Sequence, residues 1–152
     1  MRYVTFPSLL LALVASVWAA DPAAGTWKLN PAKSKFSPGP GPKSATVTYE
    51  VTADGIRRTG ESITADGTKT SFEYSAKYDG KDYPVKGSDV FNAISMKRVN
   101  DHTAEATLKK DGKPVMTARR VISKDGKTLT ITTSGTNAKG EKVRNVNVYD
   151  KQ

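Results

Sequence analysis

Five Asp-Gly pairs divide the chain from residue 44 onward into short runs rich in Thr, Val and Ile. Asp-Gly is one of the strongest short signals for a β-hairpin, because both central residues of a type I′ turn need positive φ. Residues branched at Cβ suit the half-buried surface of a pleated sheet. We therefore predict an antiparallel meander that turns at Asp54-Gly55, Asp66-Gly67, Asp79-Gly80, Asp111-Gly112 and Asp125-Gly126, and also at Asn100-Asp101 and Lys139-Gly140.

The runs between these turns predict nine strands and a short tenth. No segment of comparable length has the apolar period of an α-helix. An open sheet of so many strands exposes two edges, whereas closure removes them. We therefore predict one all-β domain, an antiparallel up-and-down β-barrel of 8–10 strands. The strands are expected at 24–30, 44–53, 56–65, 68–78, 91–99, 102–110, 113–123, 127–135 and 141–150, with the short one at 82–86.

The hairpin at Asp125-Gly126 also predicts which side chains face inward. A two-residue turn there pairs Ile122 with Leu129 and Arg120 with Ile131. The face that carries these residues is more apolar than the opposite one, so we assign it to the interior. Its members are Met116, Ala118, Arg120, Ile122, Leu129 and Ile131.

Two irregular features interrupt this pattern. Gly60 lies between Ile56 and Ile63, and a β-bulge at Gly60 is expected to bring both isoleucines to the same side. Asn30 can cap a helical turn that begins at Pro31. The Pro/Gly-rich segment 37–43 that follows cannot join a ladder, since Pro lacks the N–H group. We expect it to form a loop across or beside one mouth of the barrel.

The N-terminus has the form of a secretory signal peptide, with one Arg, an apolar run and then small residues. Val17-Trp18-Ala19 fits a small-x-small cleavage motif, so we expect cleavage after Ala19. The apolar run is shorter than the stretch of about 20 residues that a spanning helix needs. These features assign residues 1–19 to a signal peptide and 20–152 to the barrel, and they predict a periplasmic or secreted protein without a membrane span.

The residue inventory argues against most enzyme chemistry. The chain contains no Cys and one His, His102, which we expect to be a solvated turn residue. Glu61 and Glu73 could pair across a hairpin, but exposed cross-strand charges are the expected arrangement. No phosphate-binding or dinucleotide motif is present. We therefore expect no catalysis, no metal and no cofactor.

The formal net charge of +9 admits a polyanionic partner, but the basic residues are scattered among acids. Aromatic residues do not alternate with them on one face, as a nucleic-acid stacking platform requires. We therefore expect a soluble surface, on which lysines prevent strands from pairing with other chains, and no nucleic-acid partner. The sequence does not determine the oligomeric state, and a monomer is the simplest expectation.

The two ends of the barrel sequence resemble the calycin group: fatty-acid-binding proteins, lipocalins and avidins. The resemblance rests on Gly25-Thr26-Trp27 at the start, Arg120 upstream of a DGKTLTIT run, and Val148-Tyr149 near the end. It implies a closed barrel whose Trp27 closes one end against a basic residue late in the chain. The chain is also similar to small exported bacterial proteins that share its GTWKLN start and YDKQ end.

The resemblance also implies a ligand site, with one departure. Fatty-acid-binding proteins hold a carboxylate with an Arg-x-Tyr pair on the last strand and an interior Arg on an earlier strand. Here the pair reads Asn147-Val148-Tyr149, and the interior Arg corresponds to Arg120 or, for another loop length, Arg119. An Asn can hydrogen-bond a ligand but supplies no charge. Glu105 or Tyr149 could instead satisfy an inward Arg120 within the protein.

Two functions follow from these observations. The first is an exported lipocalin-like barrel that binds a small, partly apolar or amphipathic ligand inside, without catalysis. The second is a filled barrel that acts through its basic surface as an envelope structural or partner-binding module. For the first, the predicted ligand contacts are Arg120, Asn147, Tyr149, Tyr74, Tyr49 and Ile131, with Met116 and Ile122 also lining the interior.

Overall fold

The computed structural model describes residues 21–152, so the predicted signal peptide and its cleavage site lie outside the described residues. Within this range the chain forms eleven β-strands and one short 3-10 turn, Pro31–Lys33, and no α-helix. The strands are β1 Gly25–Leu29, β2 Lys35–Ser37, β3 Ser44–Val51, β4 Gly55–Ile63, β5 Lys69–Lys77, β6 Asp79–Lys86, β7 Ala93–Asn100, β8 Thr103–Lys110, β9 Lys113–Ile122, β10 Thr128–Thr136 and β11 Lys142–Lys151.

Ten of these strands close an antiparallel barrel, which confirms the predicted fold class. Each of β3 to β10 pairs with the next strand in sequence, and β1 pairs with β3 on one side and β11 on the other. The closing ladder joins Trp27 to Lys151 and Leu29 to Tyr149. The short β2, which the sequence analysis did not predict, pairs with the first half of β11.

The predicted register at the C-terminal hairpin is confirmed. Ile122 pairs with Leu129 and Arg120 pairs with Ile131, so these side chains share one face. Ile122 and Leu129 are almost completely buried, at 2% and 0% exposure. Arg119, one position from Arg120, points outward and bonds Glu105 on the outer surface. The interior face is therefore the one that the alternation predicted.

Four of the five Asp-Gly turns differ from the predicted type I′ geometry. Asp111 is the only non-Gly residue in 21–152 with positive φ, at 50°, so Asp111-Gly112 alone has positive φ at both central positions. At Asp125-Gly126 the Gly126 N–H instead donates to the carbonyl of Ser123, and Asp125 Oδ1 accepts from the Lys127 N–H at 3.1 Å. This turn has the same strand register as the predicted one, because the Ser123 N–H donates to the carbonyl of Thr128.

The predicted bulge at Gly60 is wrong. Strand β4 pairs without interruption with β3 and β5, and Gly60 lies opposite Val47 on one side and Phe72 on the other. Ile56 and Gly60 therefore share the inward face, while Ile63 is on the opposite face. Gly60 instead leaves room for the Arg58 side chain, because a Cβ on Gly60 would lie only 2.8 Å from Nη2 of Arg58.

The N-terminal segment covers one end of the barrel, as the resemblance implied. Trp27 is fully buried, its indole N–H donates to the carbonyl of Ala23 at 2.8 Å, and the ammonium of Lys151 lies 5.3 Å from its ring. Burial of a large aromatic side chain with a satisfied N–H is strongly stabilising. Trp27 thus anchors the segment that precedes β1.

The predicted cap lies beside the second half of β11, where the Asn30 N–H donates to the carbonyl of Val148, and the predicted loop lies beside the opposite end of the barrel. Asn30 Oδ1 accepts a hydrogen bond from the Lys33 N–H and caps the 3-10 turn, as predicted. The following Pro/Gly loop folds onto Phe36, so that a Cβ on Gly41 would lie only 2.1 Å from the Phe36 ring. The loop therefore lies beside the end of the barrel at which β11 begins, next to strand β2.

Candidate ligand-binding cavity

The barrel encloses a cavity of about 240 Å³ between its inward-facing side chains. Its wall is mostly apolar, with Ile94, Met96 and Leu108 on one side. Ile122, which was expected to line the interior, instead packs in the core beside Leu129 and does not reach the cavity. The six predicted ligand contacts all line it: Tyr49, Tyr74, Arg120, Ile131, Asn147 and Tyr149.

Arg120 is an arginine in this wall that has buried donor groups without a hydrogen-bond partner in the described chain. It is 8% exposed, and its Nη2 donates to the hydroxyl of Tyr78 at 2.7 Å and to Asp21 Oδ2 at 3.4 Å. Its Nε and Nη1 are buried and find no acceptor within residues 21–152. An unsatisfied buried donor costs about 1–3 kcal/mol, so two of them on one side chain mark a place for an acceptor.

The internal partner of Arg120 differs from the expected one. Glu105 bonds Arg119 on the outer surface, and Tyr149 makes no hydrogen bond to Arg120. The partner is Asp21, which is 5% exposed and also accepts from Arg98 at 3.1 Å and from Tyr78. The N-terminal segment, which precedes the first strand, thus supplies the counter-charge.

Arg120 and its neighbours also control the ionisation of Asp21. Burial alone raises the pKa of a carboxyl group, because it penalises the charged form. Here the Arg120 guanidinium, the Tyr78 hydroxyl, the Ala23 N–H and Arg98 outweigh burial and hold the pKa of Asp21 below its ordinary value. Asp21 is therefore a carboxylate at neutral pH and balances part of the arginine charge.

Two of the cavity tyrosines, Tyr74 and Tyr149, are kept protonated by burial and can act as hydrogen-bond donors. Burial raises the pKa of Tyr74 far above its ordinary value, and the nearby Tyr49 adds to the rise. Burial also raises the pKa of Tyr149, although Arg58 opposes that rise. The wall therefore offers neutral phenol groups beside the amide of Asn147. Such groups suit carbonyl, hydroxyl or carboxylate atoms of a bound molecule.

A second arginine, Arg58, lines the same cavity and was missed by the sequence analysis. It is 7% exposed, its Nη1 donates to the carbonyl of Phe72 at 3.0 Å, and its Cζ lies 3.5 Å from the centre of the Phe72 ring. Arg58 follows Ile56 by two positions, so alternation along β4 was the signal for its inward direction. A bulge at Gly60 would have changed only the residues after it, so this signal was present in the sequence.

Other candidate chemical groups lie outside the cavity. His102 is half-buried rather than solvated, with its Nδ1 enclosed and without a partner in the described part of the chain. Exposed Glu61 pairs with Lys69 and half-buried Glu73 pairs with Arg57 on the outer surface, as expected for cross-strand charges. Residues 21–152 contain no cluster of three metal-ligating side chains, and none of their helices is long and apolar enough to cross a membrane.

Comparison with known proteins supports the architecture. No protein-family model and no curated protein sequence matches this chain. Among solved structures, the barrel is similar to the crystal structure of zebrafish ileal bile acid-binding protein complexed with cholic acid, with a TM-score of 0.52 and 12% sequence identity. The similarity covers 86% of this chain and 99% of that chain. The protein has the calycin fold, a closed antiparallel barrel of ten strands.

Proposed function

We propose that the protein is an exported calycin-like carrier that binds a small, partly apolar ligand inside its barrel and does not catalyse a reaction. The observation that carries this proposal is Arg120, whose Nε and Nη1 are buried without acceptors in the wall of a cavity. A ligand acceptor atom at Arg120 would relieve that cost. Tyr49, Tyr74 and Asn147 would provide further polar contacts, and Ile131 an apolar one.

The size and lining of the cavity support a small amphipathic ligand. Pockets for drug-sized ligands usually measure about 300–1,000 Å³, and this one measures about 240 Å³. The alternative, a filled barrel that acts through its basic surface, predicts a packed interior. The cavity and its unpaired donors are the reason to prefer the carrier.

Adjacent arginines allow a matched test of this function. We would compare the wild type with Arg120→Met and Arg119→Met, each isolated from the producing organism, by native mass spectrometry. We expect a bound small molecule in the wild type and in Arg119→Met, whose side chain lies outside the barrel, and its loss in Arg120→Met. A folded wild type that carries no small mass and shows no saturable binding to a panel of fatty and sterol acids contradicts the proposal.

The same preparation tests export. The intact mass of protein from the periplasm or medium is expected to correspond to a chain that begins at Ala20. Recovery of the full-length chain from the cytoplasmic fraction alone contradicts the predicted signal peptide, independently of any ligand.

A further inference from the structure

We propose that Arg58 is the anion anchor of the cavity: it pairs with an acidic group of the ligand, while Arg120 binds an uncharged acceptor on the same molecule. This assignment rests on the ligand-binding function proposed above and specifies the ligand class. The ligand would be an amphipathic acid with a second polar group, such as a hydroxyl or a carbonyl.

Arg58 is a buried cation without a counter-ion among the described residues. It forms no ion pair with an acidic side chain of residues 21–152, although eight such pairs occur among those residues. A buried charge costs several kcal/mol unless it is paired. Arg58 also makes only one hydrogen bond within the described chain, from Nη1 to the Phe72 carbonyl. Its Nε and Nη2 therefore remain for a ligand anion.

The protein holds this guanidinium in one position. The group stacks on Phe72, whose ring contacts Phe91 edge-on at 5.4 Å. Gly60, the cross-strand partner of Phe72, leaves room for it, since a Cβ on Gly60 would be 2.8 Å from Nη2 of Arg58. A guanidinium held against a ring in this way is pre-organised, so little conformational entropy is lost when an anion binds.

The two arginines differ in whether an acidic side chain of the described residues pairs with them. Asp21 neutralises part of the charge of Arg120, and a ligand carboxylate at Arg120 would lie close to that aspartate. Like charges so close together are unfavourable. A neutral acceptor fits Arg120 better, and an anion fits Arg58 better. Asn147 stands where the resemblance places an Arg, so Arg58 on β4 supplies a charge that the last strand does not.

The test uses two probes with the same ten-carbon chain length, decanoate with an anionic headgroup and decanol with a neutral hydroxyl. We would measure their affinities for the wild type, Arg58→Met and Arg57→Met by calorimetry. Arg57 is the matched control, because it is exposed and pairs with Glu50 and Glu73 on the outer surface. A charge-assisted hydrogen bond contributes about 1.5–3 kcal/mol, which is roughly a tenfold or greater loss of decanoate affinity in Arg58→Met. Decanol affinity should be unchanged, and Arg57→Met should bind both probes like the wild type.

The outcomes separate the anchor from the carrier function. A wild type that binds decanol but not decanoate overturns the anchor, and a wild type that binds neither probe, carries no small mass and binds none of the fatty and sterol acids overturns both proposals. Decanoate binding that survives in Arg58→Met but is lost in Arg120→Met overturns the anchor and leaves the carrier function standing. Should Arg58→Met not fold, Gly60→Ala provides a second variant, because it displaces the guanidinium without removing it. Unchanged decanoate affinity in Gly60→Ala also contradicts the anchor.

Discussion

Asp21 Oδ2 lies 3.4 Å from Nη2 of Arg120, although 99 positions separate the two residues in the chain. The same oxygen accepts hydrogen bonds from Arg98 at 3.1 Å and from Tyr78. One buried carboxylate therefore links the N-terminal segment to β7, to β9 and to the turn between β5 and β6. It also neutralises part of the positive charge that Arg120 brings to the cavity wall.

Removal of this carboxylate should destabilise the barrel strongly. Asp21→Ala leaves Arg120 as a buried cation without its partner, and we expect the free energy of unfolding to fall by about 3–5 kcal/mol. Asp54→Ala is the control, since Asp54 pairs with Lys77 on the surface and such pairs contribute about 0–1 kcal/mol. Urea denaturation followed by far-UV circular dichroism measures both. Equal losses in the two variants would contradict a structural role for the buried pair.

Asp21 should also make the stability of the protein depend on pH in the acid range. A carboxyl whose folded pKa is lowered contributes stability that is present above its unfolded pKa and is lost as pH falls through the folded pKa. The stability difference between wild type and Asp21→Asn should therefore be constant near neutral pH and shrink below about pH 4. Urea midpoints across this range measure it.

Other lowered carboxyl pKa values do not affect this comparison. Asp66, Asp79 and Asp125 also have lowered pKa values, each chiefly because a nearby hydroxyl donates to the carboxylate. These three residues are present in both proteins, so their contributions cancel in the difference. A difference that stays constant down to about pH 2 would show that Asp21 is not the titrating group.

Most of the barrel is predictable from the sequence, because side chains alternate between the two faces of a strand. Each turn fixes the register of the next strand, so the inward face of one strand determines the inward face of the next. Once Ile122 is paired with Leu129, the inward direction of Arg120 and the outward direction of Arg119 follow. This inference did not need the turn type. The turn at Asp125-Gly126 is not type I′, yet it leaves the register unchanged.

The features that the sequence does not predict depend on contacts distant in the chain. Nothing local to Asp21 indicates that it lies beneath Arg120, because that contact exists only after the barrel closes. Gly60 is ambiguous for a different reason: a glycine inside a strand can mark either a bulge or a close approach of another group. Here Arg58 is that group. The size of the cavity likewise depends on strand number and tilt, which are properties of the closed barrel.

The buried indole of Trp27 should contribute to stability through its hydrogen bond as well as its volume. Trp27→Phe removes the donor to the Ala23 carbonyl and leaves that acceptor unpaired, which costs about 1–3 kcal/mol. Lys151→Met removes only the ammonium near the ring, and we expect a loss of about 0.5–1 kcal/mol. Thermal unfolding followed by circular dichroism compares the two. A larger effect from Lys151→Met would mean that the cation, and not the hydrogen bond, secures this end of the barrel.

Gly60 and Arg58 should be energetically coupled, and a double-mutant cycle measures the coupling. Gly60→Ala alone places a Cβ against the Arg58 guanidinium and disrupts its stack on Phe72 and its bond to the Phe72 carbonyl. We expect a loss of about 1–3 kcal/mol in the free energy of unfolding.

In the Arg58→Met background the same substitution should change sign. With the guanidinium gone, alanine is preferred to glycine in a strand by about 0.5–1 kcal/mol, so Gly60→Ala should stabilise the protein. Thr59→Ala, on the outward face of β4, should have the same effect in both backgrounds and serves as the control. Equal effects of Gly60→Ala in the two backgrounds would mean that the glycine does not accommodate Arg58. A reversal of sign would show that the glycine makes room for the buried arginine, whether or not a ligand is bound.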